Sequence, residues 1–270
     1  MVTEDIIKTL AERAKLNNPA APDDYIGEDG LLHCGVCREP KECALDIEGN
    51  TLVVRCLCSC GIRRRKEAAE AEYKRQNEDR RHDWLRGYEN MTFENAKDTP
   101  AMETARRYAA LWDKALESGL SFTLVGGVGC GKTYAAAAIA NDVLDKGYRV
   151  WMATTAEMIS RMYSEADKIN NRLDSFELVV LDDFGAERET EYAGEKMFQI
   201  IDRRMNSGLP TIVTTNLNTA KPAPNTTYER IFSRLNGSAP PVLCRGEDLR
   251  AAKGKAKQDL MRELLKGGAP

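Results

Sequence analysis

Apolar and polar residues keep two different rhythms along this chain, and the rhythm changes near Met91. Ahead of that point, Ile6, Ile7, Leu10, Ala14 and Leu16 recur at roughly helical spacing and predict a short helix over 1–18, broken by Asn18-Pro19-Ala20-Ala21-Pro22. From Ile62 to about Tyr88 the chain is dense in Arg, Lys and Glu. Opposite charges stand four apart at Arg63/Glu67, Lys66/Glu70 and Glu70/Lys74, the pattern of a solvated helix or connector. Arg63-Arg64-Arg65-Lys66 offers a basic step to nucleic acid, although a run of mixed sign is ordinarily an exposed face.

From about Met91 onward, strand patterns alternate with helix patterns. Thr104 to Leu116 is read as an amphipathic helix, 121–126 as a first strand, and the stretch to about Leu144 as a helix ended by Asp145-Lys146-Gly147. A second strand is expected over Arg149 to Ala153, a helix over Ala156 to Asp167, and a third strand over Leu178-Val179-Val180-Leu181. Glu191 to Met205 is helical and stopped at Ser207-Gly208, and Pro210 to Thr215 and Pro241 to Cys244 supply two more strands. Five strands separated by helices imply an α/β fold, a parallel sheet covered on both faces. The alanines at 135–140 suit a helix.

Composition adds limits. With 270 residues and 42% hydrophobic content, the chain can bury one full-sized core and a small extra module. A net charge of -3 gives no bulk attraction to nucleic acid, so such contacts must come from local patches. Met1-Val2-Thr3-Glu4-Asp5 has no basic, apolar leader, and no apolar run approaches ~20 residues. The expectation is a cytoplasmic protein with no membrane contact.

The first chemical motif is Gly126-Gly127-Val128-Gly129-Cys130-Gly131-Lys132-Thr133, which fits G-x-x-x-x-G-K-[ST] between the first strand and the alanine-rich helix. At ordinary glycine frequency, a chance match in a chain this long has odds of roughly 1 in 100 before that setting is counted. Glycines let backbone N–H groups converge on the β- and γ-phosphates at a helix N-terminus. Lys132 adds a point charge, and the Thr133 hydroxyl can hold Mg²⁺. ATP and Mg²⁺ are the implied ligands.

Cysteines are unevenly spread. Cys34, Cys37, Cys43, Cys56, Cys58 and Cys60 crowd one stretch, while Cys130 and Cys244 stand apart with no metal-type partner in sight. A disulfide framework suits small secreted proteins, so metal binding is the better account of the cluster. Cys34-Gly35-Val36-Cys37 is a C-x-x-C knuckle, and Cys56-Leu57-Cys58-Ser59-Cys60 returns after a hairpin-like segment turning at Glu48-Gly49-Asn50. Two such pairs make a thiolate site for Zn²⁺. If the second group lies on a strand, Cys56, Cys58 and Cys60 share a face and one is surplus. Cys34, Cys37, Cys58 and Cys60 are taken as ligands, with Cys56 first in reserve and Cys43 or His33 after it.

A further constellation, an acidic one, closes the third strand. Asp182-Asp183 follows four apolar residues and so lies at the carboxyl edge of a parallel sheet, where ligands bind in this architecture. Asp182 is expected to hold Mg²⁺ through water, and Asp183 to orient the attacking water. Glu187 is the rival for that second role, or simply the start of the next helix.

The phosphate loop, Leu181-Asp182-Asp183-Phe184-Gly185-Ala186-Glu187, Thr211-Ile212-Val213-Thr214-Thr215-Asn216-Leu217, Arg230-Ile231-Phe232-Ser233-Arg234-Leu235 and Gly246-Glu247-Asp248-Leu249-Arg250 occur in order. Together they resemble the DnaC/DnaI-type replicative helicase loaders, which stand with the IstB transposition ATPases among the AAA+ ATPases. The resemblance covers about residues 90–250, and the cysteine module looks like the zinc-binding amino-terminal domain of some loaders. It implies a five-stranded AAA+ core whose lid is reduced or absent, since about twenty residues follow Arg250.

That resemblance also implies roles. Asn216 matches the sensor that reads the γ-phosphate, Arg234 the arginine finger inserted into a neighbour's site, and Arg250 a second sensor; Arg230 could share the finger's job or form a surface ion pair. The implied organisation is a helix and zinc module over 1–62 that binds a DnaB-type helicase, a charged linker over 63–89, the ATPase domain over 90–250 and a basic tail over 251–270. A homo-oligomer assembled on the helicase would hold single-stranded DNA, with Arg161, Lys168 and Arg172 as positional candidates, and slow ATP hydrolysis would release the loader. The alternatives are an IstB-like transposition ATPase, which lacks a cysteine module, a small-molecule kinase, which has no need of Asn216 or Arg234, and an adaptor that binds ATP without hydrolysing it.

Overall fold

The structure, a computed structural model, describes residues 4–47, 50–186, 190–217, 225–246, 248, 258 and 261–265. The chain forms two compact units, Met1–Gln76 and Asn77–Pro270.

In the first unit, helix α1 (Glu4–Asn17) packs against a hairpin strand. The short strands β1 (Tyr25–Ile26) and β2 (Leu32–His33) pair antiparallel and lead into the Cys34–Cys37 knuckle. Gly35 is needed there because a β-carbon at this position would lie 2.1 Å from the Asp23 carbonyl oxygen. Strands β3 (Glu42–Ile47) and β4 (Asn50–Arg55) form the expected hairpin, in register from Glu42↔Arg55 to Ile47↔Asn50. A buried Lys41 is neutralised by Asp24 at 2.5 Å and also donates to the Pro19 carbonyl. Helix α2 (Ser59–Trp84) then carries the charged stretch.

One expectation fails here. The strand ends at Arg55, so Cys58 and Cys60 do not alternate along it; Cys58 precedes α2 and Cys60 lies in its first turn. The helical turn, not a pleat, brings the two sulfurs within 3.4 Å.

The second unit is the α/β layer structure. The stretch read as one helix is two, α3 (Pro100–Ala110) and α4 (Trp112–Glu117), divided at Leu111, whose N–H reaches back to Arg107 and Tyr108. Thr99 caps α3 by accepting from Met102 N–H at 3.2 Å, with proline at the first position where its missing N–H costs nothing. Strands and helices then alternate: β5 (Phe122–Gly126), α5 (Lys132–Asp145), β6 (Val150–Thr154), α6 (Thr155–Ser175), β7 (Leu178–Phe184), α7 (Glu191–Ser207), β8 (Thr211–Thr215), α8 (Thr226–Ser238) and β9 (Val242–Cys244). Helix α6 is interrupted by a non-helical residue at Glu165 and continues past Asp167 to Ser175. Gly208, left-handed at φ 65°, ends α7 as its sequence position predicts.

All five strands are parallel, in the order β6-β7-β8-β5-β9. Period-two alternation divides the core. Leu124, Val150, Met152, Leu178, Val180 and Ile212 face α3, α4 and α5, while Trp151, Ala153, Val179, Leu181 and Val213 face α6, α7 and α8. The alanines of α5 are fully buried, which lets that helix approach the sheet closely. Arg204 is buried as well and is satisfied by the carbonyls of Leu173, Phe176, Glu177 and Pro210 and the Thr211 hydroxyl. Burial pulls its guanidinium down to about 10.

Because β5 and β7 flank β8, the carboxyl ends of these three strands bring the phosphate loop, the aspartates and Asn216 to one edge.

Candidate nucleotide site and cysteine centre

The phosphate loop leaves β5 and enters α5 with Gly129 and Gly131 in the left-handed region, φ 79° and 95°. A side chain at Gly129 is excluded twice over, since its β-carbon would also fall 1.8 Å from Asp248 Oδ1. Lys132 is buried and folds over the loop, donating to Gly126 O at 3.0 Å, Gly127 O at 2.8 Å and Asn216 Oδ1 at 2.7 Å. Asn216, exposed just beyond β8, is thus beside the loop lysine although 84 residues separate them.

Strand β7 runs on through Phe184, past the four apolar residues that defined it in the sequence. Leu181 pairs with Val213 and Phe184 with Thr215, so Asp182 and Asp183 together oppose Thr214 alone. This is a bulge, and it forces Asp183 to φ 55°. The Thr214 hydroxyl stabilises it from both sides: it donates to Asp182 Oδ1 at 2.6 Å and accepts from Asp183 N–H at 3.0 Å. The bulge turns Asp182 inward, where it is buried, and turns Asp183 toward the open cavity. Burial pushes the Asp182 carboxyl above its ordinary range, against the hydrogen bonds from Thr214, Thr133 and Tyr88 that favour its charge.

An open cavity of about 460 Å³ begins at Val128, Gly129, Gly131, Lys132, Thr133, Asp183 and Asn216. It continues between Met91, Asn95, Lys97, Thr99, Met102 and Tyr134. One end offers backbone N–H groups and a lysine, the other methionine and tyrosine faces, which is the chemistry of a phosphate tail and a planar base. The Thr133 hydroxyl is near enough to Asp182 to favour its charged form, so hydroxyl and carboxylate oxygens lie together for a hard cation such as Mg²⁺. Sequence patterns pointed to neither Tyr88 nor the Met91 to Met102 wall, because isolated residues in a polar connector carry no periodic signal.

Arg234 lies elsewhere. Its guanidinium pairs with Asp202 of α7 at 2.5 Å, and Arg230 stacks on the Phe198 ring at 4.1 Å, with no ion pair of its own among the described residues. Arg161 and Lys168 pair with Glu157 and Glu165, and Arg172 lies over Trp151. Arg250 and Glu187 lie outside the described residues. Cys130 and Cys244, far apart in sequence, are neighbours: burial first, then the adjacent Cys130, pushes Cys244 up to about 12. Lys132 Nζ is 3.8 Å from the Cys130 sulfur.

In the first unit, the sulfurs of Cys34, Cys37, Cys58 and Cys60 all lie within 4.8 Å of one another. Tetrahedral Zn²⁺ needs sulfurs about 3.8 Å apart, so the set fits. Backbone N–H groups of Cys37 and Val36 pull Cys34 down to about 6, while Cys58, Cys34 and Cys37 push Cys60 up to about 12. Four sulfurs this close form a set that could hold a metal ion. Cys56 and Cys43 lie outside the set, with Cys56 Sγ donating to the Pro40 carbonyl, and His33 bonds Asp29 and the Arg38 carbonyl.

A parallel sheet in this order, with a phosphate loop, an acidic strand end and a polar residue beside the loop lysine, defines an ATP-binding protein of the phosphate-loop class. Residues 67–224 match the IstB-like ATP binding proteins, and the chain belongs to that family. Among curated relatives, the replicative helicase loader DnaC of Escherichia coli (strain K12) is 32% identical over 143 residues, covering 48% of this chain and 57% of that protein. DnaC of Buchnera aphidicola subsp. Schizaphis graminum (strain Sg) is 30% identical, with 55% and 64% covered. The chain thus spans little more than half the length of the first of these relatives. A crystal structure of the DnaC helicase loader shares the fold, with a TM-score of 0.50 at 23% identity, covering 59% of this chain and 99% of that one. AMPPCP-bound DnaA from Aquifex aeolicus gives 0.50 at 22%, covering 58% and 51%. Among the described residues, no helix is long and apolar enough to cross a membrane.

Proposed function

We propose that this chain is an ATP-hydrolysing loader that binds a hexameric, DnaB-type replicative helicase in the cytoplasm and places it on single-stranded DNA. The observation that carries the ATPase part is the convergence of Lys132, Thr133, Asp183 and Asn216 on one cavity edge, with Asp182 buried behind it. The relatives named replicative helicase loader support the rest. The alternative of a transposition ATPase shares the ATP-binding core but not the cysteine module.

In this reading the backbone of Gly126 to Thr133 cradles the β- and γ-phosphates, and Lys132 leaves the Gly126 and Gly127 carbonyls to meet them. Thr133 and Asp182 hold Mg²⁺, which would neutralise phosphate charge. Asp183, aimed into the cavity by the bulge, accepts a proton from the attacking water or orients it. Asn216, released from Lys132, reports the γ-phosphate. Arg234, ion-paired with Asp202 of α7 and not among the residues that line the cavity, would serve the site of a neighbouring copy. A finger supplied by the neighbour makes hydrolysis depend on assembly.

The four cysteines hold Zn²⁺, whose binding stabilises a module otherwise built on a small core. The unit they organise is the helicase grip.

Mixing tests the shared site. Lys132→Ala and Arg234→Ala are each expected to be inactive alone on helicase and DNA. An equal mixture regenerates intact sites at about a quarter of the interfaces and recovers turnover accordingly. No recovery, or full activity of Arg234→Ala alone, contradicts the shared site.

A further inference from the structure

Residues 85–91 form a strap across the phosphate-loop helix. Tyr88 N–H turns back to Leu85 O at 2.7 Å and Met91 N–H to Tyr88 O at 3.0 Å. The strap is fastened by one buried side chain: Asn141 of α5 donates to Tyr88 O at 3.0 Å and Met91 O at 3.2 Å. Arg81, in the last turns of α2, in turn donates to Asn141 Oδ1 at 3.0 Å. Two side chains are delivered by this arrangement. Met91 lines the cavity, and the Tyr88 hydroxyl donates to Asp182 Oδ2 at 3.2 Å across 94 residues of sequence.

Asp182 therefore receives hydroxyls from two elements, Thr214 of β8 on Oδ1 and Tyr88 of the strap on Oδ2. Packing does not call for the Tyr88 hydroxyl, because its ring already lies against the core beneath the strap. Its oxygen points to the carboxylate instead. A carboxylate has two oxygens and rotates about one bond, so donors on both oxygens fix its plane.

We propose that Tyr88 is a positioning residue for the cation site, holding the Asp182 carboxylate in the plane that receives Mg²⁺ with nucleotide while leaving metal-free nucleotide binding to the phosphate loop. The proposal rests on reading this cavity as the Mg²⁺–ATP site. It gives the connector a chemical duty at that site, since the strap and Asp182 cannot move independently while the bond is made.

The test is a titration of the full chain with a fluorescent ATP analogue, followed by anisotropy, at graded Mg²⁺ and in a chelator. For Tyr88→Phe, affinity in chelator stays within about twofold of wild type, whereas the Mg²⁺ needed for half-maximal tightening rises about fivefold. Equal curves at all Mg²⁺ concentrations, or an equal loss with and without Mg²⁺, overturn the proposal. Wild-type protein whose nucleotide binding ignores Mg²⁺ would instead overturn the reading of the site itself. Should Tyr88→Phe melt more than about 5 °C lower, Asn141→Ser, which slackens the strap with Tyr88 intact, is titrated in its place. Its Mg²⁺ requirement is then expected to rise, and an unchanged requirement overturns the proposal.

Discussion

Lys132 and Asn216 are bonded to each other, Nζ to Oδ1 at 2.7 Å, across the mouth of the phosphate loop. A lysine that neutralises phosphate and an amide that senses it share one hydrogen bond, so nucleotide must exchange that bond for its own contacts. Asn216→Ala frees Lys132 without removing it. Nucleotide affinity is expected to stay within a few fold, while the turnover number falls about 100-fold, the usual cost of deleting a transition-state donor. Equilibrium binding and single-turnover hydrolysis separate the two quantities.

Thr214 carries the bulge that splits Asp182 from Asp183. Thr214→Val keeps the shape of the side chain and removes both of its bonds. Because Asp182 is buried, the lost partner is expected to lower stability by about 1–3 kcal/mol in urea unfolding. Mg²⁺-dependent hydrolysis should fall as well. Unchanged stability would show that the hydroxyl does not hold the bulge.

Metal content distinguishes the cysteines. Purified protein is expected to hold one equivalent of zinc per chain by elemental analysis, as the single four-sulfur cluster implies. Cys34→Ser, Cys37→Ser, Cys58→Ser and Cys60→Ser lose it, whereas Cys56→Ser and Cys43→Ser keep it. Chelation of the wild type should lower the first unit's protection from protease, because metal binding there contributes to folding.

The parts of this molecule legible in sequence are those with a local pattern. Strands such as 150–154 and 211–215, buried on both faces, read as short apolar or β-branched runs, and glycine and proline marked most ends. The phosphate loop and the Cys34–Cys37 knuckle announced themselves by spacing. What escaped depends on distant partners. Strand β7 outran its apolar run because Asp182 and Asp183 are held by Thr214, some thirty residues onward. Cys58 and Cys60 looked like alternating strand residues, since the helix start at Ser59 has few local signals amid so many cysteines. The break at Leu111 lies inside an unbroken amphipathic pattern, and Tyr88 meets its partner 94 residues away. Cys130 and Cys244 became neighbours only when β9 was placed beside β5.

Loading is measured most directly on circular single-stranded DNA mixed with a hexameric replicative helicase, ATP and the full chain, with helicase retained on the circles scored after gel filtration. Helicase on the circles is expected to rise well above the level without the chain and to return to that level with Lys132→Ala. If the circles carry no more helicase with the wild-type chain than without it, and the chain with ATP also fails to retain the helicase, the protein is not a helicase loader.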